Sequence, residues 1–90
     1  MIQERVITYR GRVQGVGFRY TTTRVADRFA VTGFVQNLPD GRVLLTAQGE
    51  PDELDRFITA VNDAMSAYID GREVEERPAG EPFASFSVRP

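Results

Sequence analysis

Between residues 13 and 19 the chain reads Val-Gln-Gly-Val-Gly-Phe-Arg, with Gly15 and Gly17 two apart and Arg19 two further on. Glycines permit backbone conformations that side chains forbid, so this stretch reads as a tight loop with its amides turned outward. Free N–H groups at a loop that opens a helix form a concave anion site, and an arginine adds a planar fork of donors suited to phosphate. The candidate cradle comprises Gln14, Gly15, Val16, Gly17, Phe18 and Arg19. It is not a Walker A loop, because no Gly-Lys-Ser/Thr follows, and Gly11, Gly15 and Gly17 miss the dinucleotide-binding spacing. The second candidate group is the carboxamide of Asn37, two residues before Pro39-Asp40-Gly41. Taken singly, both have plainer readings: glycines and an arginine at a strand-to-helix turn are often only turn chemistry, and Asn before Pro-Asp-Gly is usually a turn residue.

The inventory narrows the reaction. Cysteine and histidine are both absent, which removes thiol nucleophiles, thiolate metal sites, Ser-His chemistry and the usual zinc ligands. With phosphate donors, one amide and no general acid, a leaving group must depart unprotonated. A carboxylate, whose conjugate acid has a pKa of roughly 4, meets that requirement and an alkoxide does not. An acyl phosphate is the substrate class that fits.

These residues need elements to bring them together. Residues 5–13 alternate, with Ile7, Tyr9, Gly11 and Val13 on one face, predicting a strand. From Tyr20 to Ala30, Thr22, Val25, Ala26 and Phe29 form one helical stripe. Residues 31–38 alternate again, Pro39-Asp40-Gly41 marks a hairpin, and Val43, Leu45 and Ala47 share a face of the next strand. Pro51 opens a second helix whose stripe is Leu54, Phe57, Ile58, Val61 and Met65, with acids in its first turn. Residues 68–77 alternate poorly and set neither the extent nor the register of a fourth strand; Ala84, Phe86 and Val88 share a face of a last one.

The order β-α-β-β-α-β implies an α+β fold, a ferredoxin-like split βαβ sandwich: an antiparallel sheet of four to five strands with two helices on one face. In that topology the first two strands run in the same direction. The end of the first, the start of the helix and the end of the second therefore meet at one edge, which holds residues 14–19 and Asn37. Period-2 alternation puts Asn37 on the face of Val35, toward the glycine loop. This meeting strengthens both candidates over their plainer readings.

Ninety residues suit one domain, expected to span 1–90, with an ordinary globular composition of 41% hydrophobic and 27% charged residues. The eleven cations are all arginine, spread along the chain, and thirteen acids leave a net charge of −2, so nucleic acid is not an expected partner. No apolar run approaches membrane-spanning length and the N-terminus lacks a signal-peptide pattern, so neither a membrane partner nor export is expected and a cytoplasmic location is the default. The six phenylalanines fall mostly on core stripes, and Glu73, Glu75 and Glu76 read as solvated acids on a weak strand.

The segments GRVQGVGFR at residues 11–19 and TGFVQNLPDGRV at 32–43 resemble the two signature segments of the acylphosphatase family, a likeness that continues through Thr22, Ala26, Gly49 and the closing FSVR at 86–89. What the resemblance implies is metal-free hydrolysis of acyl phosphates without a phosphoenzyme or cofactor. Arg19 and Asn37 match the family's two catalytic residues, with the loop amides and Arg19 holding the phosphoryl oxygens and Asn37 orienting water. It implies a small-molecule acyl phosphate as substrate, inorganic phosphate as product and inhibitor, and a monomer. Three positions depart from the pattern. Ala30 stands where the family usually ends its first helix with glycine, so a left-handed cap there would be strained or the helix must end otherwise. Phe34 replaces the usual tryptophan, and Met65 to Ile69 take the place of a small-residue and proline turn.

Two other readings use the same chain. A binding or regulatory module would need the cradle but has less need of an amide beside it. A single-strand RNA reader would need exposed aromatics and basic side chains on the open sheet face. Nothing in the site read from sequence grips the acyl half of a substrate.

Overall fold

The computed structural model describes residues 1–90. In chain order the elements are β1 (Gln3–Gly11), α1 (Phe18–Ala26), β2 (Thr32–Asn37), β3 (Val43–Gly49), α2 (Pro51–Ala64), β4 (Ile69–Pro78) and β5 (Phe86–Arg89). They form one five-stranded sheet ordered β4-β1-β3-β2-β5. The pairs β1·β3, β1·β4 and β2·β3 are antiparallel, while β5 lies parallel to β2, so the sheet is mixed where an antiparallel one was expected. Since β1 and β2 both oppose β3, they run in the same direction, and the edge anticipated from sequence exists.

The alternation in sequence becomes the core. Ile7 and Tyr9 of β1, Val35 of β2, and Val43, Leu45 and Ala47 of β3 are fully buried beneath Val25 and Ala26 of α1 and Leu54, Phe57 and Val61 of α2. Val13 and Met65 join them from outside the elements. Each buried side chain of this size contributes about 1.5–3 kcal/mol relative to exposure. Phe57 links the layers, meeting Phe29 edge-on at 6.0 Å and Phe86 at 5.5 Å between centroids.

Both ends of β1 and both ends of α1 moved. β1 begins at Gln3 because that residue pairs with Gly49 on one side and Pro78 on the other; it ends at Gly11, where pairing with β4 shifts register. α1 begins two residues early and stops at Ala26. After it, Arg28 and Phe29 donate to the carbonyls of Val25 and Ala26 at 3.0 and 3.1 Å, tightening the chain by one residue per turn. No non-glycine residue has positive φ, so the exit needs no left-handed cap at Ala30. The Ala30 amide instead donates to Glu53 Oε2 of α2 at 2.8 Å. That bond first, and then Arg56, holds the Glu53 carboxyl below the ordinary carboxylate range.

β4 is a full ten-residue strand along an edge of the sheet. Only Ile69 and Gly71 are partly covered, which explains why its sequence lacks alternation: it is held by backbone pairing to β1 and buries no face of its own. Because β4 and β5 lie at opposite edges, the chain between them crosses the sheet. Glu81 and Phe83 of that crossover contact Gln48 and Phe34, whose side chains stand on the face away from the helices. Phe34 is thereby buried, edge-on to Phe83 at 5.7 Å with the Arg89 guanidinium 3.7 Å over its ring. No helix is long and apolar enough to cross a membrane.

Candidate active site

The register across three strands fixes where Asn37 points. Tyr9 pairs with Val43, and Val43 pairs with Asn37, so the three stand in one row on the helix-covered face at the sheet end from which the 12–17 loop departs. Asn37 is half-buried there, and its carboxamide makes no hydrogen bond to protein. Tyr9, buried beside it, donates from its hydroxyl to Asn62 Oδ1 at 2.7 Å and packs its ring 5.0 Å from Phe18. Burial pushes the Tyr9 phenol well above its ordinary value, so it is a fixed neutral support at all physiological pH.

Gly15 and Gly17 sit at φ 77° and 80°, in the left-handed region, and neither would meet a neighbour within 4 Å if given a Cβ. What requires glycine is therefore the backbone angle and not the space. Gly17 is the cap residue of α1; no side chain caps the helix, and its first intrahelical bond runs from the Thr21 amide to the Gly17 carbonyl at 2.9 Å. The amides of residues 15–20 thus have no protein acceptor, and no acid stands in the first turn to fill the positive end of the helix.

A hollow of about 190 Å³ is lined by Val13, Gly15, Gly17, Phe18, Arg19, Tyr20 and Asn37. Arg19 and Asn37, eighteen residues apart, share it with both glycines. Arg19 is half-buried, with Nη1 at 3.5 Å from the Arg89 carbonyl, a weak contact that leaves its other donors free.

Of the loop residues read as a cradle, Gln14 and Val16 do not line the hollow. Val16 packs against the core. The Gln14 side chain donates from Nε2 to the carbonyls of Leu38 and Arg42 at 2.8 and 2.9 Å, tying the loop to the β2–β3 hairpin beside Asn37. The hairpin is itself braced by Asp40, which accepts from the Arg42 amide at 3.1 Å and from its guanidinium at 2.8 Å; the backbone bond foremost keeps the Asp40 carboxyl below its usual range. Sequence reasoning missed this use of Gln14, for which the only sign was a long amide next to a glycine. It also passed over Tyr20 on the rim.

The family model described as Acylphosphatase matches residues 5–88. The chain belongs to the acylphosphatase family. As a member it is a hydrolase, an acylphosphatase. It is 48% identical over 79 residues to an acylphosphatase of Archaeoglobus fulgidus, covering 87% of this chain and 88% of that protein. To an acylphosphatase of Lacticaseibacillus paracasei it is 42% identical over 84 residues, 91% of this chain and 90% of the relative. The crystal structure of acylphosphatase from Bacillus subtilis superposes with a TM-score of 0.84 at 36% identity, with 99% of each chain covered.

Proposed function

We propose that the chain hydrolyses acyl phosphates by direct attack of water on phosphorus, as a single 1–90 domain acting as a cytoplasmic monomer without a metal. The observation that carries this reading is the convergence of three things on one hollow: unpartnered amides at an uncapped helix start, the Arg19 guanidinium and the free carboxamide of Asn37.

The phosphoryl oxygens lie against the amides of residues 15–19 and the Arg19 fork, which together neutralise the charge that spreads over them as the anhydride bond lengthens. Asn37 holds the incoming water by its carboxamide on the side opposite the acyl oxygen. The water oxygen forms a bond to phosphorus while the phosphorus–acyl oxygen bond breaks, and its electron pair leaves on the carboxylate. Since no side-chain base stands in the hollow, the water proton passes to a phosphate oxygen of the substrate. The products are a free carboxylate and inorganic phosphate, which binds the same cradle and inhibits. Gln14 acts through the hairpin, keeping the loop and Asn37 at a fixed separation.

Hydrolysis of benzoyl phosphate in ¹⁸O-water with excess chelator tests this. Label in inorganic phosphate and none in benzoate is the expected result. Label in benzoate would move the attack to the acyl carbon, and loss of turnover on adding chelator would make the reaction metal-dependent; either contradicts the reading.

A further inference from the structure

We infer that Tyr20 and Arg24 form the subsite for the acyl half of the substrate, selecting acyl phosphates that carry a second anionic group a few bonds from the anhydride. This rests on the acyl-phosphate reading above. The hollow that holds Arg19 and Asn37 offers the acyl group little to lie against: Gly15 and Gly17 have no side chains, Val13 and Phe18 are buried in the core, and Arg19 and Asn37 face the phosphoryl group and water. Tyr20 remains, 66% exposed.

Tyr20 is also a wall of a second, larger and more open hollow of about 590 Å³ along the outer face of α1, shared with Thr21, Arg24, Val25, Asp27 and Arg28. Tyr20 is the one residue that lines both hollows. Arg24 holds the ring in place, donating from Nη1 to the Tyr20 hydroxyl at 2.7 Å with its guanidinium carbon 5.6 Å from the ring centroid. One bond leaves four of the five N–H donors of Arg24 for another acceptor. Neither Arg24 nor Arg28 forms an ion pair, although Asp27 lines the same hollow. At 1.5 Å of rise per residue, Arg24 stands about 6 Å along the helix from Tyr20. An acyl chain leaving the cradle over Tyr20 brings a carboxylate or second phosphate three to five bonds away up to Arg24. A plainer role for Arg24 is to complement the negative end of α1, since it stands in the last turn.

The two roles separate in steady-state kinetics with acetyl phosphate and succinyl phosphate, which share the anhydride and differ by a terminal carboxymethyl group. In Arg24→Gln the ratio of kcat/KM for succinyl over acetyl phosphate is expected to fall about five- to tenfold, through the KM for succinyl phosphate, and further in Arg24→Glu. Arg72→Gln, an exposed change on β4, keeps the wild-type ratio. An unchanged ratio in both Arg24 variants, or equal losses on the two substrates, would overturn the subsite and leave Arg24 a helix-stabilising residue. If the wild type turns over neither substrate, the acyl-phosphate reading itself fails, and the subsite with it.

Discussion

Gln14 shows how a residue beside a site can matter without touching what the site binds. Its two bonds cross from the loop to the carbonyls of Leu38 and Arg42, one on each side of the hairpin tip. Removing them in Gln14→Ala should cost about 1–2 kcal/mol of stability, two ordinary hydrogen bonds, seen as a lower urea midpoint at unchanged slope. The loop and Asn37 then lose their fixed spacing, so kcat should fall about tenfold with a smaller change in KM if Asn37 holds the attacking water as proposed, a role in the transition state more than in substrate binding. A purely structural Gln14 would leave kcat of the folded fraction unchanged. Arg19 and Asn37 were legible in the sequence because their types and distances from glycine and proline signals are local facts. The Gln14 tether and the position of Tyr20 between two hollows were not, since both depend on where a distant hairpin or a helix face comes to lie.

The elements were legible where burial writes a period into the sequence. β3 and α2 carry unbroken apolar stripes, and both lie where those stripes predicted. β4 carries none, because an edge strand clear of the helices needs only its backbone to belong to the sheet. The end of α1 illustrates a different limit. A glycine expected from the family pattern is replaced by Ala30, and the chain leaves the helix through two tightened turns and a hydrogen bond donated by the Ala30 amide to Glu53, with no left-handed residue. Restoring the family residue with Ala30→Gly should therefore not stabilise the protein. It should lower stability by a few tenths to about 1 kcal/mol through the greater freedom of the unfolded chain, measurable by urea titration. A gain would mean that the native backbone there strains an alanine.

At the scale of the molecule, one crossover ties the sheet edges together. It passes over buried Glu4 and Gln48, where Gln48 Nε2 donates to Glu4 at 2.8 Å and to the Glu81 carbonyl at 3.0 Å, and Arg77 of β4 donates to Glu4 at 2.7 Å. Burial alone would raise the Glu4 carboxyl; bonds from Gln48, Arg77 and the Gly80 backbone outweigh it and hold the group below its ordinary value near 4.5. A carboxyl that titrates lower when folded adds stability above its unfolded pKa and loses it as pH falls through the folded one. The melting-temperature gap between wild type and Glu4→Gln should thus be full at neutral pH and narrow on acidification below about 4.5. A gap independent of pH would show that the charge of Glu4 contributes nothing. The same crossover brings half-buried Phe83 edge-on to Phe34 and buries Phe34, which therefore serves packing and is not one of the exposed aromatics an RNA reader would need on that face.

The central claim is that Arg19 and Asn37 carry one metal-free hydrolysis between them. It is tested most directly by kcat/KM for benzoyl phosphate, with excess chelator, in the wild type and in folded Arg19→Ala and Asn37→Ala proteins. The prediction is wild-type turnover in chelator and a loss of about a hundredfold or more in each variant, the scale seen when one transition-state donor is removed. Wild-type turnover that survives either substitution within a few-fold would contradict the account.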